Sequence, residues 1–556
     1  MSQAKIKIHL SQINTSVGDL SGNCQKILSE FKKAEENNCD LVVFCEMTVS
    51  GYPCHDLWQK KYFMETIEEK IGEITKVTKD SNCAILLGAP TSSIGRSRKE
   101  IISNSAVLIE KGSVTRVCNK KALANYGVFD EKRYFEPELA LSFVEFRGLT
   151  LAILICEDLW DSKNLFLLSE QVLDLVISIN SSPFSANKKS EEISQKFTRT
   201  LGKPLIYLNQ VGAQDSLIFD GSSFVMDENG DIPFKMKGFE EDSAVVEIEK
   251  GGNIHFDQTA INNQDLADNS LKDKYNACIL GIRDYVKKSG FKKVILGMSG
   301  GIDSALVATM ANDALGNENI KLFALPSRYN SQTSMTDAQK CSENLGVNLE
   351  VISIEDSFSA MLNSLKDSQG EITDLTQENI QSRIRGNILM GLSNNSGALL
   401  LSTGNKSELS CGYATLYGDM CGAFNPLKDL YKSEVFELAK WRNNNIPEIS
   451  IYKKDKIIPL NIIEKPPTAE LRPDQKDSDS LPEYEILDKI LFSLVEEQKS
   501  VEEIIKMGFE EELVKKVVKL FYASEYKRQQ SCIGPKISEK SFDKERRYPI
   551  INKFWE

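Results

Sequence analysis

Val294-Ile-Leu-Gly-Met-Ser299-Gly300-Gly301-Ile302-Asp303-Ser304-Ala305 is the stretch from which the rest of the chain can be ordered. Val294 to Leu296 read as a buried parallel strand, and Ala305, Leu306, Val307, Ala308 and Met310 as the apolar part of a helix. Between them lies a serine- and glycine-rich turn of phosphate size. Glycine lets the backbone approach an anion, and the unpaired N–H groups and the helix dipole supply partial positive charge. Ser299 and Ser304 add hydroxyl donors. The turn lacks the Gly-Lys-Ser/Thr ending of a Walker loop and the spacing of a dinucleotide GxGxxG fingerprint. Asp303, a carboxylate beside phosphates, is sensible when it holds Mg²⁺.

At 556 residues the chain exceeds one ordinary core, so two large domains are expected. It is 41% hydrophobic and 26% charged with a formal net charge of -13, which argues against a nucleic-acid partner. The opening MSQAKIKIHLSQ alternates like a strand and has no apolar signal-peptide core. Leu149 to Cys156 is far shorter than the ~20 residues of a membrane span, so no membrane partner and a cytoplasmic location are expected. The 12 cysteines form no CxxC pair, which suggests neither a zinc site nor a disulfide framework. Of three histidines, His9, His55 and His255, none lies in a stretch that announces a hydrolytic triad, so hydrolysis here needs another base.

Residues Ile6 to Ile254 alternate short apolar strands with helical stretches, as in a layered α/β domain. Three of the strands end in reactive side chains. Leu41 to Phe44 leads into Cys45-Glu46, Ser113 to Cys118 into Asn119-Lys120-Lys121, and Leu151 to Cys156 into Glu157-Asp158. Together these resemble the Glu-Lys-Cys triad of the nitrilase family, whose αββα sandwich presents the three from neighbouring strand ends. Gly51-Tyr52-Pro53 after Glu46, and Asn125 to Phe135 after the lysine, strengthen the resemblance. It implies Glu46 as general base, Cys156 as the nucleophile that takes a carboxamide through a thioester, and Lys120 as the stabiliser of thiolate and oxyanion.

Lys121 competes with Lys120 for that role. The family pattern, with the lysine three residues before a leucine, here Leu123, selects Lys120. The family usually has proline after that leucine, where this chain has Ala124, a change that would loosen the loop. The resemblance also implies a glutamine pocket of Tyr126, Phe129 and Glu131, with Ser182 and Lys188 near the segment Asn180-Ser181-Ser182-Pro183-Phe184 holding the amino-acid head group.

Residues 1–256 are expected to form this first domain, 257–274 a polar linker, and 275–556 a second domain. The SGGIDS turn resembles the loop of the ATP pyrophosphatases, which bind the pyrophosphate of ATP and transfer AMP to a substrate oxygen. The apolar runs at Lys321 to Leu325, Val347 to Ile354 and Leu399 to Ser402 then suggest a parallel sheet of the adenine-nucleotide hydrolase type, with ligand beyond the strands' carboxyl ends.

Leu375 to Arg385, the segment Thr403-Gly404-Asn405-Lys406-Ser407-Glu408, Gly412 to Asp419, Pro466 to Asp477 and Glu525 to Gln529 are similar, in this order, to the glutamine-dependent NAD synthetase family. Thr468 replaces the more usual serine and keeps the hydroxyl. The resemblance implies glutamine, ATP and deamido-NAD as substrates, with Mg²⁺. ATP would meet Gly297, Ser299, Gly300, Gly301, Asp303, Ser304 and Thr403; Asp303 and Glu408 would hold Mg²⁺; Asn379, Glu408, Tyr413 and Lys527 would contact deamido-NAD. It also implies a homo-oligomer. The rival expectation keeps the first domain as a non-catalytic binding or assembly module and takes free ammonium as the nitrogen donor. The stripe Leu513, Val517, Val518, Leu520 and Phe521 reads as core or subunit contact rather than a cofactor site.

Overall fold

The computed structural model describes residues 4–94, 100–256, 270–468, 470–472, 475 and 481–554. The chain divides into two compact units, Met1–Gln214 with Ile218–Leu266, and Asp215–Leu217 with Ala267–Glu556. Of the expected linker, residues 257–269 lie outside the described residues. The remainder belongs to the helix Ser270–Lys288, whose Tyr275, Ile279 and Ile282 are buried, so this helix takes in the last five residues expected in the linker. No helix among the described residues is long and apolar enough to cross a membrane.

In the first unit a seven-stranded sheet runs in the order Ile254–Phe256, Asp242–Glu249, Lys5–Gln12, Leu41–Phe44, Ala84–Ile94, Glu100–Glu110, Ser113–Asn119. A six-stranded sheet runs Phe234–Lys235, Phe224–Met226, Leu205–Asn209, Leu175–Asn180, Leu149–Ile155, Ser142–Phe146. Their inner faces share one core. Ile6, Ile8, Leu10, Leu41 and Val43 of the first sheet meet Leu151, Ile153, Ile155, Ile177 and Ile179 of the second. Alternation within each strand sends the other side chains outward. Ala152, Leu154 and Val176 thus pack against Leu168 and Phe197 of the helices Ser162–Ser169 and Ser190–Leu201, while Leu20–Glu36 and Lys61–Val77 cover the first sheet. The result is the αββα sandwich expected of this half.

The second unit is built on a parallel sheet in the order Leu349–Val351, Ile320–Ala324, Val294–Gly297, Leu399–Leu400. Two of these strands are shorter than their apolar runs, because Ile354 opens into a helix and Leu401 makes only an isolated bridge to Phe424. The chain winds from Val294–Gly297 to one side and returns for Leu399–Leu400 on the other. The strand order therefore reverses between these two, and ligand crevices form beyond the carboxyl ends of strands at such a point. The helix Ile302–Leu315 starts there and is buried on every residue but Asp303, which explains an apolar composition with no polar face. Val514, Val517, Val518 and Phe521 of the helix Glu511–Ala523 pack on Leu487, Leu491 and Ile504, so the apolar stripe near the carboxyl end is core of this unit.

Candidate active sites

In the first unit Glu46, Lys120 and Cys156 each sit just past a strand end, but not past neighbouring strands. Leu41–Phe44 and Ser113–Asn119 belong to one sheet with two strands between them, whereas Leu149–Ile155 belongs to the facing sheet. The three groups meet across the sandwich because strands of both layers end at the same edge.

Lys120, 1% exposed, donates to Glu46 Oε1 at 2.8 Å and to Glu131 Oε1 at 2.9 Å. Lys121 turns away to Asn164 Oδ1 at 2.8 Å. Glu46 Oε2 accepts from the Ser181 N–H at 2.8 Å, which fixes the carboxylate to the second sheet. The Cys156 thiol is buried, and burial together with the charge of Glu46 pushes it well above its ordinary pKa, against the pull of Lys120. A thiol so placed ionises only as a base takes its proton. Cys156 has φ +47°, ψ −98°, a strained conformation for a side-chain-bearing residue and one that concentrates at reactive positions. Burial lowers Lys120, but Glu131 and Glu46 more than restore it, so the ammonium is held well above its ordinary pKa.

Glu131, expected in the pocket wall, is instead buried at 2% exposure in this charge cluster. Both of its oxygens lie 2.9 Å from Lys120 Nζ, and Oε2 also accepts from the Ala124 N–H at 2.8 Å. A proline at 124 would lack that donor, so alanine here ties the loop to Glu131 rather than loosening it. Burial and the nearby Glu46 push the Glu131 carboxyl above its ordinary value, against the pull of Lys120.

Tyr126 and Phe129 pair edge to face at 5.5 Å, and the Tyr126 hydroxyl donates to Glu157 Oε2 at 2.8 Å. Ser182 and Lys188 form a separate polar group with Asp220 and Asn209. Lys188 donates to the Ser182 carbonyl at 3.0 Å and to Asp220 Oδ1 at 2.7 Å, and Asn209 Oδ1 accepts from the Ser182 N–H at 2.9 Å. The sequence reading missed Glu157, Asp220 and Asp158; only Glu157 and Asp158 carry a signal, by standing directly after Cys156.

Asp158 staples the strand ends. Its Oδ1 accepts from the N–H groups of Lys121 at 3.0 Å and Ala122 at 2.7 Å, and its Oδ2 from Ile155 at 3.1 Å. Burial pushes this carboxyl from 3.8 up to about 6. The folded chain then holds the proton more tightly than the unfolded chain, so the group favours folding below pH 3.8 and loses that contribution as pH rises through about 6. The difference is roughly 3 kcal/mol. Asp158→Asn is expected to flatten the fall in stability over this window, measured by urea unfolding from pH 4 to pH 7.

In the second unit a cavity of ≈ 320 Å³ occupies the strand-order reversal. Gly297, Ser299, Gly300, Gly301, Asp303, Ser304, Thr403, Glu408 and Tyr413 all line it, with Thr468. Gly300 has φ +80°, and a Cβ there would lie 2.2 Å from the Ser334 carbonyl oxygen, so no side chain fits. The serines brace the loop: Ser304 Oγ donates to the Gly301 carbonyl at 3.1 Å, and Ser299 Oγ accepts from the Gly301 N–H at 3.2 Å. Asn379 and Lys527 stand outside the lining and brace the loop that carries Tyr413. Asn379 Oδ1 accepts from Thr415 Oγ1 at 2.9 Å, and Lys527 donates to the carbonyls of Gly412 and Ala414, each at 2.7 Å.

Asp303 and Glu408 converge on one cation, the ammonium of Lys432, which bonds Asp303 Oδ2 and reaches Glu408 Oε1 at 3.3 Å. Two carboxylates aimed at one positive centre beside a phosphate-sized loop fit the oxygen ligands Mg²⁺ takes, which are one or two carboxylates completed by phosphate. Lys432 opens an ordinary amphipathic helix, Lys432–Asn444, and nothing local in the sequence marks it.

A carboxylate–lysine–thiol cluster in an αββα sandwich, joined to an SGGIDS crevice on a parallel sheet, defines a carbon–nitrogen ligase that carries its own amidohydrolase. Residues 7–252 match the carbon-nitrogen hydrolase family and residues 274–531 the NAD synthase family. The chain is 40% identical over 551 residues to the glutamine-dependent NAD(+) synthetase of Acinetobacter baylyi, covering 98% of both, and 37% identical to that of Thermotoga maritima, covering 99% of both. It superposes on the glutamine-dependent NAD+ synthetase of Acinetobacter baumannii, solved with adenosine diphosphate, at TM-score 0.76 and 37% identity, covering 99% of each chain. The chain belongs to the glutamine-dependent NAD(+) synthetases.

Proposed function

We propose that Glu46, Lys120 and Cys156 hydrolyse glutamine in the first unit and that the released ammonia amidates deamido-NAD in the second. The Lys120 ammonium clamped between Glu46 and Glu131 beside a buried thiol is the observation that carries the first half. Glu46 takes the proton of Cys156 as sulfur attacks the carboxamide carbon. The tetrahedral oxyanion forms near Lys120, where a charge at ~4 Å is worth about 1 kcal/mol in water and about 4 at an effective dielectric near 20. Collapse gives the thioester and ammonia, which takes its proton from Glu46. Glu46 then deprotonates water, which releases glutamate and restores the thiol. Tyr126 and Phe129 wall the substrate, while Ser182 and Lys188 hold its head group.

In the second unit the SGGIDS loop and Thr403 hold ATP. Mg²⁺, when bound by Asp303 and Glu408, neutralises phosphate charge and orients the pyrophosphate. The nicotinate carboxylate attacks the α-phosphorus and pyrophosphate leaves. A carboxylate is a poor electrophile; as the acyl-adenylate it accepts ammonia, and AMP departs. Lys432 is placed to follow the phosphate charge. Tyr413 and Glu408 meet deamido-NAD from the cavity lining, and Asn379 and Lys527 act on it through the loop they brace. The protein is read as a cytoplasmic homo-oligomer with no nucleic-acid or membrane partner. The test is NAD and pyrophosphate formation from deamido-NAD, ATP and Mg²⁺, with glutamine or ammonium as donor. Stoichiometric NAD and pyrophosphate with both donors are expected; no pyrophosphate with deamido-NAD would end the assignment of the acceptor.

A further inference from the structure

Asn104 stands in the strand Glu100–Glu110 at 1% exposure and touches the charge cluster twice over. Its carbonyl accepts from the Lys120 N–H at 2.8 Å, so its backbone sets where the lysine leaves the sheet. Its side-chain Nδ2 donates to Glu46 Oε1 at 2.7 Å and to Glu131 Oε1 at 3.2 Å. Lys120 Nζ meets the same two oxygens at 2.8 and 2.9 Å, and Glu131 Oε2 besides at 2.9 Å. Two donors and two acceptors thus form a closed ring. The amide cannot turn over, since its oxygen would then face two carboxylate oxygens; in the orientation adopted, Oδ1 has no partner among the described residues. A buried amide left half unsatisfied costs stability, which points to a role other than folding.

We propose that Asn104 is a positioning residue for glutamine hydrolysis: its amide is the neutral donor that lets two carboxylates share one lysine without a proton between them. This rests on the hydrolytic reading of the first unit. Without that donor the carboxylate pair gains affinity for a proton, and Glu46 is withdrawn as base until higher pH.

Two variants test it in the full chain, Asn104→Leu and Asn104→Asp, with ammonium-supported NAD synthesis as an internal control. Asn104→Leu should lower kcat with glutamine by about 10²-fold, keep KM within about threefold, and move the acid limb of the kcat profile to higher pH. Asn104→Asp, nearly identical in shape, should lose more, because a third carboxylate on one lysine forces a proton into the cluster. Packing alone predicts the opposite order. Ammonium-supported synthesis should hold within about twofold in both, as expected where the second unit does that chemistry. A milder Asp variant, an unmoved acid limb, or a parallel loss with ammonium overturns the inference. If the unsubstituted chain uses ammonium but not glutamine, the hydrolytic reading itself falls and the inference with it.

Discussion

Cys156→Ala is expected to lower NAD formation from glutamine by roughly four orders of magnitude or more, the scale seen when a covalent nucleophile is removed. Synthesis from ammonium should stay within about twofold of the unsubstituted chain, since the residues proposed for ATP and deamido-NAD all lie in the second unit. The substitution deletes one buried sulfur, so folding should survive it. Parallel progress curves with the two donors give the measurement. Equal losses would mean that the first unit shapes the second rather than feeding it. No loss with glutamine would make the sandwich the non-catalytic module of the rival expectation.

Gly300→Val is expected to do the reverse, cutting synthesis from both donors equally and by at least about 10²-fold, since misplacing a reacting group by ~1 Å costs that much. The argument is steric. At φ +80° a Cβ would sit 2.2 Å from the Ser334 carbonyl oxygen and 2.8 Å from its carbon, and backbone cannot swing aside as a side-chain tip can. The loop must shift, and with it the cavity wall proposed to hold ATP phosphate. Pyrophosphate release measured with each donor reads the effect. A loss confined to glutamine would remove the loop from ATP chemistry.

The SGGIDS turn was legible as the lining of a crevice because it is built from backbone and contiguous residues. Gly300, Gly301, Asp303 and Ser304 reach the cavity by local geometry alone, and one strand and one helix suffice to place them. Glu46, Lys120 and Cys156 were legible only as words, each at a strand end. That they converge across two layers, rather than along one sheet, depends on strand order, which no local pattern encodes. The pairing of Glu131 with Lys120 was not legible, because a carboxylate eleven residues after Lys120 reads the same whether its loop turns it outward or folds it back. The Ala124 N–H is one of the contacts that hold it inward. Lys432 and Asn104 had no local signal at all: one resembles a solvated helix start, the other an interior residue of an ordinary strand. The strands Leu349–Val351 and Leu399–Leu400 came out shorter than their apolar runs, since hydrophobicity reports burial and not pairing.

The helix Ile302–Leu315 is packed on nearly every side, with Asp303 alone facing out. A rod gripped by its whole surroundings can neither slide nor tilt, so whatever enters the crevice at its tip meets a fixed wall. A methylene gained at Leu306 or Met310, both fully buried, has to be surrendered by a neighbour. The turn at its tip rests on an interior that resists enlargement one residue at a time.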